Sequence, residues 1–315
     1  MVGLRPAAQK DRFLVLSNQG DLEARNVVIA TGPYQRPQIP RLSAGLPHDL
    51  LQLHASEYRN PAALPAGAVL VVGSGASGCQ IADELLEAGR HVYLSVARHH
   101  RVPRRYRGWD VFWWLLALGR LDATVDDSPE TLRTIRLLYT GVHGGYDIDF
   151  RGSAAKGMTL LGHVSDARDG RLALVPDLEE SLRTGDQAFE EFLRAADEYA
   201  SRSGTDDPAP LIDSRPAPVT GRMDTNREID VRAAGIRSVI WATGYSLDFG
   251  WVELPVFDAR GEPIQRRGVT AARGIYFLGL KRQYKLKSSF LFGVGEDAAY
   301  LAECIEVGNC ERERP

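Results

Sequence analysis

Sulfur is scarce in this sequence. Cysteine occurs three times in 315 residues, at Cys79, Cys304 and Cys310, and no two stand as C-x-x-C. That spacing excludes a local dithiol redox pair and fits a reducing compartment, so a cytoplasmic location is expected. Neither charge sign dominates. The chain has 38 Lys and Arg against 41 Asp and Glu, a formal net charge of -3, so nothing global draws it to nucleic acid. No apolar run approaches bilayer length and no signal peptide is visible, so no transmembrane segment is expected. The strongest apolar run, V-F-W-W-L-L-A-L from Val111 to Leu118, reads as a buried helix or a lid over a cofactor. No repeat of solenoid period occurs. An apolar fraction of 44% is enough for a real core, and the length allows one large domain or two ordinary ones.

What is present centres on Ala68 to Arg101. Ala68 to Val72 is a β-branched, apolar run that predicts one buried strand. Gly73, Gly75 and Gly78 follow as G-x-G-x-x-G, with Ser74, Ala76 and Ser77 between them. Ile81, Ala82, Leu85 and Leu86 then recur at helical spacing, Gly89 stops the helix, and His91 to Val96 predicts a second strand. Strand, glycine turn, helix and strand within this span make a βαβ unit. Gly73 permits the tight turn, Gly75 lets a pyrophosphate approach the backbone, and Gly78 lets the helix pack close to the strand. Free amides and the dipole at the helix start favour the phosphate. The motif in this frame predicts a dinucleotide site.

The residues after the second strand select the dinucleotide. An NAD site usually ends that strand with a carboxylate for the ribose 2′-hydroxyl. Here it ends Val96-Ala97-Arg98-His99-His100-Arg101. Arg98 can fork onto a 2′-phosphate and Arg101 can add charge, so NADP(H) is expected over NAD(H). Arg104, Arg105 and Arg107 read as a solvated loop.

Elsewhere, Phe13 to Leu16 and Asn26 to Ile29 predict two strands joined by a turn at Asn18-Gln19-Gly20-Asp21. The second runs into Ala30-Thr31-Gly32, a small-residue crossing where backbone lies close to another segment or a ligand. The same ending recurs as Ala242-Thr243-Gly244 after the strand Arg237 to Trp241. His54, in a polar loop, reads as a phosphate or hydrogen-bonding contact or as a structural residue. Trp109, Trp113 and Trp114 read as packing for a domain junction, with a substrate channel as the alternative. Ser128 and Pro129 open a predicted helix to Tyr139. Gly157 to Val164 and Arg171 to Val175 predict a hairpin around Asp169-Gly170. Leu178 to Leu182 begins helical, Gln187 to Ser201 predicts an amphipathic helix, and Gly204 to Pro218 a loop. Ile275 to Leu278 predicts a last strand ending at Gly279. Glu296 and Asp297 then open an apolar helix.

Taken together, A-T-G-P-Y (30–34), H-A-S-E-Y-R-N-P (54–61), V-V-G-S-G-A-S-G (71–78), W-A-T-G-Y (241–245) and G-I-Y-F-L-G-L (274–280) resemble the flavin-containing monooxygenases. The likeness is greatest to the bacterial branch associated with potassium transport, related to the plant indolepyruvate monooxygenases, and it runs over nearly the whole chain. The resemblance implies an α/β fold of two dinucleotide-binding, Rossmann-like domains, with an NADP domain inserted in an FAD domain. It implies NADP and FAD as cofactors. Hydride would pass from NADPH to flavin, and the reduced flavin would activate oxygen to oxygenate a small organic substrate.

Carried over by position, Gly73, Gly75 and Gly78 match the NADPH fingerprint and Arg98 the 2′-phosphate reader. His54 and Tyr58 remain from the monooxygenase signature, while His48 and Leu50 stand where that signature has Phe and Gly. The two A-T-G segments match interdomain crossings. Gly279 ends the strand before the flavin-contacting segment, and Glu296 and Asp297 fall near the flavin ring. The implied domains are 1–45 (part of the FAD domain), 46–244 (NADP domain with a helical insert) and 245–315 (the rest of the FAD domain). The family's first βαβ unit, with its own glycine motif for the FAD pyrophosphate, is not in this sequence, so an N-terminally truncated chain with an incomplete FAD domain is expected. That departure supports a second expectation, an NADP-binding fragment or regulatory module without flavin or turnover. A third is a reductase that passes electrons to a protein. No residue reads as a general acid or base, and the oligomeric state is left open.

Overall fold

The computed structural model describes residues 2–127, 137–204 and 227–308. The predicted helix from Ser128 lies mostly outside these residues, as do Cys310 and all but the first residue of the predicted loop at 204–218. The chain forms two compact units. One comprises Met1–Arg36, Gly119–Thr134 and Tyr245–Pro315, the other Pro37–Leu118 and Ile135–Gly244.

The first unit begins with an antiparallel meander of β1 (Gly3–Pro6), β2 (Phe13–Leu16) and β3 (Leu22–Ala24). The strand β4 (Val27–Ile29) follows in a different sheet. The turn at Asn18 to Asp21 therefore leads into β3, and the predicted pairing of Phe13–Leu16 with the Val27 strand does not form. Phe13, Val27 and Ile29 are nevertheless buried in one cluster with Leu4, Phe249 and Phe277.

The second unit holds the glycine motif. Its strands are β5 (Leu51–His54), β6 (Ala68–Val72), β7 (Val92–Ser95), β8 (Thr159–Leu161), β9 (Val164–Arg168), β10 (Arg171–Leu174), β11 (Glu228–Asp230) and β12 (Ile236–Trp241). Its helices are α1 (Ala76–Glu87), α2 (Val111–Ala117), α3 (Phe150–Ala155) and α4 (Leu178–Ser203). The main sheet is parallel throughout, in the order β8-β7-β6-β12-β5. Every residue of central β6 is buried, as expected of a parallel strand covered on both faces. Its side chains alternate. Val69 and Val71 join α1 residues Ile81, Ala82 and Leu85 in one cluster, and Leu70 and Val72 join Trp241, Leu172 and Ile229 in the other. Each such fully buried side chain contributes about 1.5–3 kcal/mol.

Two predictions shift here. Thr159–Leu161 joins the edge of the parallel sheet, and the hairpin is made by Val164–Arg168 with Arg171–Leu174. Its turn has positive φ at both Asp169 and Gly170, matching the right-handed twist of the strands. The predicted helical segments Leu178 to Leu182 and Gln187 to Ser201 form one helix, because Gly185 does not interrupt it. A side chain there would overlap the buried ring of His99, so the glycine makes room for a packed imidazole. The apolar run at Val111 forms a short helix with Val111, Trp114 and Leu115 buried.

The chain then returns to the first unit through β13 (Gln265–Arg266), β14 (Val269–Thr270), β15 (Ile275–Phe277) and α5 (Val294–Val307). The sheet order is β13-β14-β15-β4, with β15 and β4 parallel. Residues near 119–127 lie on the segment before α5: Val125 N–H donates to the Tyr284 carbonyl, and Leu286 N–H to that of Ala123. Among the described residues no helix is long and apolar enough to cross a membrane.

Candidate dinucleotide-binding site

The site stands at the carboxyl end of the parallel sheet, where ligands of open α/β sheets bind. Gly73 leaves β6 at φ +107°, and a Cβ there would lie 2.5 Å from the Ala242 carbonyl oxygen. A Cβ at Gly78 would overlap the Gly73 carbonyl oxygen, so α1 can cross the strand exit only with hydrogen at that position. Gly75 differs: a Cβ there would meet no heavy atom within 4 Å. It is the N-cap of α1 and offers no side-chain cap, so amides at the helix start are left for solvent or a ligand. Ala76 and Ser77 are exposed in that first turn.

Ser74 points inward. It is buried, and its Oγ accepts from the Ala97 N–H at 3.0 Å, which ties the glycine turn to the end of β7. Cys79 packs beneath, with its thiol 3.4 Å from the Ser74 carbonyl. Burial, and secondarily the charge of Asp83, push its pKa well above the ordinary thiol value, so it is an inert core residue.

Beyond β7 the basic run splits. Arg98 is exposed, and its Nη2 lies 3.3 Å from Oε1 of Glu180; the two side chains are 70% and 57% exposed. Glu180 sits in the first turn of α4, 82 residues further along. The sequence predicts outward charge from Arg101 as well. The structure turns Arg101 inward, with its side chain 5% exposed. The short strand His100–Arg101 pairs with Leu137–Leu138. The Arg101 guanidinium stacks 4.4 Å from the Phe189 ring centre, with Asp186 at 3.5 Å and Asp149 at 3.8 Å. Burial lowers the pKa of His99, and burial followed by the Arg98 charge lowers that of His100. Both imidazoles are therefore neutral at pH 7, and Arg98 supplies the outward positive charge of this run.

His54 is nearly fully buried at the end of β5. Its Nδ1 accepts from the Ser56 N–H at 3.1 Å and faces the Ser56 hydroxyl at 2.8 Å. Nε2–H is therefore the donor to the Gly244 carbonyl at 3.0 Å. That carbonyl also accepts from the Gln38 N–H at 2.9 Å, and the Thr243 hydroxyl donates to the Gln38 carbonyl. Ala242 N–H continues the strand to the Val72 carbonyl. Both nitrogens of His54 are thus committed to backbone and Ser56, and the A-T-G ending of β12 is held by the entering chain.

The remaining predicted site residues belong to the first unit. Gln35 Nε2 donates at 2.8 Å to both the Thr31 hydroxyl and the Gly32 carbonyl, and Ala30 is exposed beside them. Gly279 turns at φ +80° with nothing nearer its Cβ position than Val294 at 3.9 Å. Glu296 accepts from Lys285 at 2.8 Å and from Lys287, and Asp122 joins the same two lysines at 2.9 and 2.8 Å. Asp297 is buried, 3.8 Å from Nε of Arg267, whose guanidinium lies between the rings of Tyr284 and Tyr300. Sequence reasoning missed Glu180, since no local pattern signals a partner arriving from a distant helix.

Comparison with known proteins gives the chain's family and fold. Residues 5–109 match the family model described as pyridine nucleotide-disulphide oxidoreductase. An uncharacterized CzcO-like oxidoreductase of Geobacillus kaustophilus (strain HTA426) is 35% identical over 295 residues, covering 93% of this chain and 68% of the relative. The uncharacterized oxidoreductase CzcO of Bacillus subtilis (strain 168) is 30% identical over 298 residues, covering 93% and 69%. Among solved structures, a mutant of a flavin monooxygenase from Stenotrophomonas maltophilia aligns with a TM-score of 0.53 at 15% identity, over 98% of this chain and 69% of that one. That likeness shows the fold, an α/β architecture of Rossmann-like dinucleotide-binding domains.

Proposed function

The chain belongs to the CzcO-like oxidoreductases of the flavin-containing monooxygenase family, and from that premise we propose that its second unit binds NADPH as the hydride source. It is a flavoprotein oxidoreductase by family. The observation that supports the nucleotide is the open Gly75 between two glycines that close packing demands, at the uncapped start of α1. Gly73 to Gly78 would hold the pyrophosphate on backbone amides, and Arg98 would read the 2′-phosphate.

For the flavin the fit is partial. Among the described residues, the one other long helix start with an open glycine, α5 with Gly295, carries Glu296 and Asp297 in its first turn. Those carboxylates oppose a diphosphate, so the described residues of the first unit offer no second pyrophosphate cradle. Ala30, Thr31, Gly32, Gly279 and Glu296 are assigned to the flavin by family correspondence, and Ala242, Thr243 and Gly244 to framing the nucleotide, with His54 holding Gly244 in place. A bound flavin would supply hydride acceptance and oxygen activation; this chain's own residues would position the nucleotide. Small organic molecules and oxygen are the proposed co-substrates.

The test is titration of the purified protein with NADPH and NADH, followed by flavin absorbance and NADPH-dependent oxygen uptake. NADPH binding with flavin reduction and oxygen uptake supports the reading, and failure to bind either nucleotide removes it. NADPH binding without flavin or turnover selects the second reading, a nucleotide-binding module.

A further inference from the structure

Arg98 does not wait alone for a phosphate. Glu180 is brought to 3.3 Å from it by the start of α4, within a turn that also carries Glu179. The N-cap Asp177 is engaged by His163, whose Nδ1 lies 2.6 Å from its Oδ2 and whose N–H donates to its Oδ1 at 3.1 Å. Among the described residues Glu180 is paired with Arg98. A carboxylate at this place is what an NAD site uses to accept a ribose hydroxyl, and what an NADP site excludes. The strand that normally supplies it lacks it; a helix from much later in the chain supplies it instead.

We infer that Glu180 is a coenzyme-specificity residue, which competes with the 2′-phosphate for Arg98 and narrows the preference for NADP(H) over NAD(H). This rests on the proposed reading of Arg98. When a 2′-phosphate reaches the guanidinium, the carboxylate must swing away while remaining close enough to repel it. Without the phosphate, Glu180 and Arg98 neutralise each other and a ribose hydroxyl meets an acceptor already in place. Because both side chains are largely exposed, the effect is a modest factor, about threefold to tenfold in affinity, in keeping with screened surface charges.

The experiment is calorimetric titration of the full chain with 2′,5′-ADP and with 5′-AMP, which differ by the phosphate in question. Wild type, Glu180→Gln, Glu180→Ala and Arg98→Gln/Glu180→Gln are compared, with thermal melting as a check that each is folded. In E180Q and E180A the affinity for 2′,5′-ADP rises about threefold to tenfold, that for 5′-AMP stays level or falls, and the double variant loses the gain. A wild type that prefers 2′,5′-ADP, with E180Q and E180A leaving that preference unchanged, overturns the inference and leaves the NADPH reading standing. A wild type with no preference that acquires one in E180Q supports the inference and shows the pair, rather than Arg98 alone, to set the choice. No preference in any protein overturns both.

Discussion

The imidazole Nε2 of His54 lies 3.0 Å from the carbonyl oxygen of Gly244, a residue 190 positions further along the chain. It joins the end of β5 to the exit of β12, two neighbouring parallel strands. His54 is therefore a clamp on the A-T-G crossing, and its two ring nitrogens have no capacity left for a phosphate.

This arrangement predicts that His54→Ala destabilises the protein by about 2–4 kcal/mol, from a buried cavity and the lost hydrogen bonds to the Gly244 carbonyl and the Ser56 N–H. His54→Gln, whose amide can still reach Gly244, should recover part of that. Urea unfolding curves check both. Nucleotide affinity, measured well below the transition, should be nearly the same in all three proteins.

The glycines of the turn separate stability from binding. Gly78→Ala forces a methyl group into the Gly73 carbonyl and should lower stability by about 2 kcal/mol or more, as overpacking does. Gly75→Ala meets no protein atom, so its melting temperature should be close to wild type, within the about 1 kcal/mol that distinguishes Gly from Ala at an N-cap. Its affinity for NADPH should nevertheless fall at least about tenfold, because the methyl group occupies the pyrophosphate's approach. Equal nucleotide binding by G75A and wild type would remove the cradle from consideration.

The two arginines should part in the same way. Arg98→Glu leaves folding intact and shifts the coenzyme preference toward NADH, read as the ratio of the two dissociation constants. Arg101→Ala abandons Asp149, Asp186 and the Phe189 ring in a nearly closed interior. It should cost about 3–5 kcal/mol, as loss of one partner in a buried pair does, with no change in coenzyme preference among molecules that remain folded.

The lysine–carboxylate network of the first unit sets a pH response. Lys287 and then Lys285 hold the Asp122 pKa below its ordinary value, and Lys285 and then Lys287 do so for Glu296. Carboxylates depressed in the folded state add stability above their unfolded pKa values, near pH 4, and lose it as pH falls through the lower folded values. Glu296 and Asp122 raise Lys285, so its contribution is present below the usual lysine range and is lost as pH climbs through the raised value. Unfolding midpoints of wild type and Asp122→Asn/Glu296→Gln should differ at neutral pH and converge under acid. A difference that persists unchanged at the lowest pH would assign those residues another role.

The glycine turn, its strand and its helix were legible because each rests on contacts within one short stretch: alternation in Val69 to Val72, helical spacing from Ile81 to Leu85, and backbone crowding at Gly73 and Gly78. The inward turn of Arg101 was not legible, since it depends on Phe189 and Asp186 arriving from α4. Glu180 stayed hidden for the same reason. The edge strand Thr159–Leu161 looked like half of a hairpin because its apolar residues suit either partner, and local sequence does not say which neighbour completes a sheet. Helix α4 crosses Gly185 because a ring from elsewhere fills the space, which periodicity alone does not reveal.

The bond between the Ser74 hydroxyl and the Ala97 amide has a wider meaning. It spans from the glycine turn to the residue just before Arg98, so in the proposed complex one crosspiece would set the distance between the pyrophosphate cradle and the 2′-phosphate reader. That crosspiece would act as a ruler for the proposed nucleotide. Removing that hydroxyl would loosen the calibration between them while leaving every group that touches the ligand in place.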